Sequence, residues 1–138
     1  MTSPFRTTRR IEFADTDMAG IVHFSNFFRY MESAEAEFLR SRGLSVAWRT
    51  PEGEKLGFPR VAAACDYFKP ARFEDVLEIG LSVKVGRKSV TYTHEFRRGG
   101  ELLARGRITA VFCRHLPDGR FESIEVPADI RAKLQAPE

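Results

Sequence analysis

EFADTDMAGIVHFSNFFRYMESAEAEFLRSRG, from Glu12 to Gly43, joins a strand-like segment to a long helix through two acids. Phe24, Phe27, Phe28, Met31, Ala34 and Phe38 recur at the i, i+3, i+4, i+7 spacing of one helix face, while Arg29, Glu32, Ser33, Glu37 and Arg40 fall largely elsewhere. The spacing predicts a helix over Ser25 to Arg42, roughly 27 Å long, with the phenylalanine stripe in the core. Gly43 follows the basic last turn of Arg40 and Arg42, where a glycine can take the left-handed conformation that ends a helix. Before the helix, Asp15 and Asp17 occupy a break followed by Ala19 and Gly20, small residues that let the backbone approach a ligand closely.

On the N-terminal side, Phe5 to Phe13 alternates well enough for a strand with one wet face. On the C-terminal side, Leu44 to Phe58 contains Pro51, Gly53 and Gly57 and no clean period, so it reads as a connection with one short helical turn near Trp48. Strand character then runs over Arg60 to Phe68, Val76 to Val85, Ser89 to Arg97 and Glu101 to His115. The clearest is the second, where Leu77, Ile79, Leu81, Val83 and Val85 alternate with Glu78, Gly80, Ser82 and Lys84. GRKS at Gly86 to Ser89 and RRGGE at Arg97 to Glu101 are short enough for hairpin turns, so the last three strands form an antiparallel meander. Pro127 to Leu134 closes the chain as a short helix. One long helix followed by an antiparallel sheet is an α+β layer arrangement, read as a single domain over residues 1–138.

The 138 residues, 43% hydrophobic and 30% charged, suit a globular core without disulfides or a structural metal. Net charge is only +3 and the basic residues are interspersed with acids, so no nucleic-acid tract stands out. Cys65 and Cys113 belong to no Cys-x-x-Cys or Cys/His cluster, and both are expected as reduced core thiols with no metal site. No apolar run is long enough to span a bilayer, and the first residues lack a signal-peptide core, so a cytoplasmic protein without membrane partners is expected.

Several residues carry candidate chemistry. Asp15 and Asp17 either act as nucleophile or general base, or simply cap a turn with their oxygens. His23 either exchanges protons or packs between Val22 and Phe24. The free N–H groups of the helix start, near His23 and Phe24, can stabilise an oxyanion if a substrate carbonyl reaches them. Arg87 and Lys88 in a hairpin turn can hold a phosphate or only be solvated. His94 and His115 lie in strand-like runs and read as structural or surface residues.

The run IEFADTDMAGIVHFSNFFRYMESA resembles the signature of the 4-hydroxybenzoyl-CoA thioesterase family: Asp-x-Asp-x-x-Gly-Ile/Val-Val, two aromatic or histidine positions, an Asn and an aromatic helix. The basic turn at Arg87 to Ser89 and IEVPAD at Ile124 to Asp129 extend the similarity along the chain. The resemblance implies a hotdog fold, a five-stranded antiparallel sheet wrapped around one long central helix, in homodimers that pair their sheets and often form homotetramers, with active sites at subunit interfaces. It implies acyl-CoA thioester hydrolysis with no cofactor beyond the coenzyme A of the substrate. Asp17 then matches the catalytic carboxylate and the backbone N–H of Phe24 the oxyanion donor, with His23 beside it. Arg87, Lys88 and Ser89 match the turn that contacts coenzyme A. Where many members carry a tyrosine, this chain has Phe24 and lacks that hydroxyl. Hydration or dehydration of an acyl thioester, or acyl-CoA binding without catalysis, are the alternatives on the same fold.

Overall fold

The computed structural model describes residues 5–137. Strand β1 (Phe5–Arg10) leads through a 3-10 turn (Phe13–Asp15) to helix α1 (Asn26–Ser41), then to two very short strands, β2 (Trp48–Arg49) and β3 (Lys55–Gly57). Long strands follow: β4 (Arg60–Tyr67), β5 (Val76–Val85), β6 (Ser89–Arg98) and β7 (Glu101–Val111). Two further short strands, β8 (Cys113–His115) and β9 (Phe121–Ser123), precede the closing helix α2 (Ala128–Gln135).

The main sheet has five antiparallel strands in the order β1-β5-β6-β7-β4, with β4 at one edge. Its inner face presents Leu77, Ile79 and Leu81 from β5 and Tyr92, His94 and Phe96 from β6, and the face is closed by α1. The buried side of α1 is Phe27, Tyr30, Met31, Ala34, Glu35, Phe38 and Leu39. Each large apolar side chain sealed there contributes roughly 1.5–3 kcal/mol. The helix sits so close to β7 that a Cβ at Gly106 would collide with the Met31 thioether. A sheet curled around one central helix is the hotdog arrangement.

The two ends of α1 are built differently. At the C-terminus Gly43 takes φ +72° and Leu44 N–H donates to Leu39 C=O at 2.8 Å, closing the last turn. At the N-terminus Ser25 makes no side-chain cap; a tight turn, Asn26 N–H to His23 C=O at 2.9 Å, feeds the chain into the helix. Phe24 thus lies outside α1 and is 63% exposed, so it leaves the core stripe that the spacing assigns to it. The β6–β7 turn takes positive φ at Gly99 and Gly100, as a two-residue hairpin turn requires.

The segment around Trp48 differs from the expected helical turn. Trp48 and Arg49 pair with Lys55 and Leu56, and β3 pairs with β8, giving a second sheet in the order β2-β3-β8-β9. The run Glu101 to His115 breaks at Phe112, so its last three residues belong to this second sheet. The first strand stops at Arg10, and Phe13 is exposed at 74% rather than continuing the inner face. Cys113 is buried and Cys65 half-buried, both as free thiols.

Candidate active site

After β1, Ile11 is fully buried and its N–H donates to Asp75 C=O at 2.8 Å, fixing where the chain turns off the sheet. Asp15 then closes the 3-10 turn reciprocally with Glu12: Glu12 N–H donates to Asp15 Oδ2 at 3.0 Å. Its carbonyl accepts both His23 N–H at 2.9 Å and the Asn26 side-chain amide at 2.8 Å. Asp15 is therefore spent on holding the helix start.

Asp17 sits in a tighter loop. Its N–H donates to Ile21 C=O at 2.8 Å, Gly20 N–H returns to its carbonyl at 2.9 Å, and Gly20 adopts φ +79° to allow this. Ala19 N–H donates to Oδ1 at 2.8 Å, which orients the carboxylate. Oδ2 accepts no hydrogen bond from the described residues, and the half-buried side chain lines an open depression of about 460 Å³.

Phe24 faces the same depression. The N–H groups on either side of it are engaged: His23 N–H by Asp15 C=O, Ser25 N–H by the His23 ring at 3.3 Å. That of Phe24 has no partner among the described residues. Ile21, Val22, Phe27, Tyr67, Phe68, Pro70 and Ala71 line it as well, with Lys69 as a cation, so the hollow is largely apolar. A carboxylate with a free oxygen and an unpaired N–H in an apolar hollow can polarise a carbonyl and attack it, or activate water beside it.

The other predicted residues lie apart. His23 is exposed, its ring stacked on Phe24 at 4.5 Å and its Nδ1 2.8 Å from Ser25 Oγ; it does not line the depression. Arg87, Lys88 and Ser89 occupy the β5–β6 turn, closed by Gly86 N–H to Ser89 C=O at 2.7 Å. Arg87 is exposed and paired with Glu125 at 2.8 Å, whereas Lys88 has no ion-pair partner among the described residues. This turn is at the far end of the ten-residue β5 from Val76, whose partner Arg10 ends the strand leading to Asp17. Roughly 30 Å of strand separates the two ends within one protomer.

Two further side chains border the site: Tyr67, which the motif reading passes over, and Asn26, the Asn of the signature. Tyr67, the last residue of β4, donates its hydroxyl to Phe24 C=O at 2.8 Å, and the Asn26 side chain ties α1 to Asp15. The Asn stands in the signature; nothing local marks Tyr67. No group of three His, Cys, Asp or Glu side chains converges as a metal site among the described residues.

The profile of the thioesterase-like superfamily matches residues 11–134. The 4-hydroxybenzoyl-CoA thioesterase of Pseudomonas sp. (strain CBS-3) is 35% identical over 128 residues, covering 88% of this chain and 90% of that one. The 1,4-dihydroxy-2-naphthoyl-CoA hydrolase of Synechocystis sp. is 30% identical over 126 residues, covering 89% and 90%. Among solved structures, an aspartate-to-asparagine variant of 4-hydroxybenzoyl CoA thioesterase complexed with 4-hydroxybenzoyl CoA superposes with a TM-score of 0.82 at 29% identity, over 96% of this chain and 99% of that one. The fold is that of a hotdog-fold protein. The chain belongs to the thioesterase-like superfamily.

Proposed function

We propose that this protein hydrolyses an acyl-CoA thioester to the free acid and coenzyme A. The observation that carries the reading is the shared depression of Asp17, with one carboxylate oxygen unengaged, and Phe24, with its N–H unengaged. The thioester carbonyl accepts a hydrogen bond from Phe24 N–H, and that bond strengthens as the oxygen gains charge. Asp17 either attacks the carbonyl carbon, giving a mixed anhydride that water then cleaves, or takes the proton of a water that attacks directly. In both routes the C–S bond breaks, the sulfur leaves as thiolate and gains a proton, and water supplies the new carboxylate oxygen. The relative solved with its thioester in place is an aspartate-to-asparagine variant, in keeping with a carboxylate whose loss lets the ester persist. The reading draws on no resident metal or redox group; coenzyme A enters as part of the substrate.

The same reading includes a homodimer, or two dimers as a tetramer. Strand β4 is an exposed sheet edge with small side chains at Ala62, Ala63 and Ala64 and an exposed Val61, the kind of edge that pairs with another strand. Antiparallel pairing of two β4 strands puts the Arg87–Ser89 turn of one protomer at the same end of the joint sheet as Asp17 of the other. That arrangement gives the acyl group and the coenzyme A phosphates a common site. No helix among the described residues is long and apolar enough to cross a membrane, and a cytoplasmic location fits a substrate class made inside cells.

A thiol-release screen over aromatic, short, medium and long acyl-CoAs and acyl carrier protein thioesters tests the activity. Thiol release from at least one of them is expected. Absorbance loss of an enoyl-CoA without thiol release would instead identify a hydratase. Sedimentation should show two or four protomers, and a monomer would remove the interface site.

A further inference from the structure

We propose that Tyr67 is a positioning residue whose hydroxyl, by holding the carbonyl of Phe24, aims the Phe24 N–H at the substrate oxygen. The inference rests on the thioesterase reading above and adds a residue to it.

The direction of a backbone N–H is set by its peptide plane and by the planes on either side. The plane carrying Phe24 N–H also carries His23 C=O, which accepts Asn26 N–H at 2.9 Å. The next plane carries Phe24 C=O, where Tyr67 Oη donates at 2.8 Å, while the helical partner Phe27 N–H is further away at 3.4 Å. Ser25 offers no side-chain cap at this end of α1. The firm anchor on the second plane is therefore a side chain 43 residues away, at the end of the edge strand. Burial, with Cys65 adding to it, pushes the phenol up to about 12, so it keeps its proton to donate across the neutral range.

A plain packing role for Tyr67 is also visible, since its ring stands edge-on to Phe27 at 5.3 Å. Tyr67→Phe keeps that ring contact and deletes only the hydroxyl, so it separates the two roles. Misaiming an oxyanion donor is expected to cost less than the 100-fold or more of deleting one, and a fall in kcat of about 10-fold fits a small displacement.

The test uses the full chain with Tyr67→Phe, assayed by thiol release on an acyl-CoA that the parent turns over. The infrared stretch of the thioester carbonyl is measured on the same substrate bound to Asp17→Asn, with and without Tyr67→Phe. The expected result is a fall in kcat of about 10-fold with KM changed less than about twofold, and a carbonyl band that moves back toward its frequency in water. Parent-like kcat, or an unchanged carbonyl band, overturns the role of Tyr67. A parent protein that releases no thiol from any acyl-CoA sinks the hydrolase reading instead, and the carbonyl band of the bound ester then still decides whether Tyr67 aims the donor.

Discussion

Glu35 of α1 and His94 of β6 face each other at 3.9 Å inside the core, 1% and 0% exposed, with Arg60 of the edge strand 2.5 Å from the other carboxylate oxygen. Burial, opposed by Arg60, pushes Glu35 up from 4.5 to about 7, and burial pushes His94 down from 6.5 to about 4. Between those limits the pair is neutral. Glu35 binds its proton more tightly in the folded state, so its contribution is complete below pH 4.5 and is lost as pH rises through about 7. His94 binds its proton less tightly when folded, so its contribution is complete above pH 6.5 and is lost as pH falls through about 4. The two slopes oppose each other across most of that range. In thermal melts from pH 4 to 8, His94→Gln should leave a melting temperature that falls as pH rises toward 7, and Glu35→Gln one that falls as pH drops toward 4. Two variants with the pH profile of the parent would contradict the pairing.

The Arg87–Glu125 pair makes the basic turn asymmetric. Arg87 must leave Glu125 to reach a phosphate, whereas Lys88 has no ion-pair partner among the described residues. Lys88→Ala should raise KM for coenzyme A esters several-fold and leave KM for short-chain thiol esters without a nucleotide unchanged. Glu125→Gln, which frees Arg87, should lower KM for the coenzyme A ester. Equal effects on both ester types would count against a nucleotide contact at this turn.

Gly20 tests the loop that presents Asp17. A Cβ there meets nothing within 4 Å, so only the φ of +79° opposes substitution. Gly20→Ala should cost about 1–2 kcal/mol of stability. It should also lower kcat by loosening the Asp17 turn. Gly20→Asn, which tolerates left-handed backbone, should cost less on both counts. Equal losses for Ala and Asn, read from denaturant melts and thiol release, would show that the turn geometry is not what matters.

How much of this was legible in the residues depends on how local each cause is. The stripe of Phe27, Met31, Ala34 and Phe38, the alternation of β5, and the glycines at 43, 99 and 100 are set within a few residues of themselves, and they stand where the pattern puts them. The strands β2, β3, β8 and β9 are two or three residues each, too short for a period, and exist only through pairing across the chain. Glu35 lies outside the apolar stripe that the spacing gives, and its burial depends on Arg60 and His94 being brought beside it by the fold. In the site, the signature pointed to Asp17 and Phe24, which do share one hollow. It said nothing of Tyr67, which reaches Phe24 through a hydrogen bond across the fold, nor of the strand length between Asp17 and Arg87.

The carboxylate of Asp17 is the centre of the account, and Asp17→Asn changes it without changing its size. The decisive measurement is the single-turnover rate of thiol release by that variant on the best acyl-CoA, alongside its affinity for the same ester. The account predicts a rate lower by at least about 1,000-fold with affinity within a few-fold of the parent and an unchanged melting profile. Parent-like release by Asp17→Asn would contradict it.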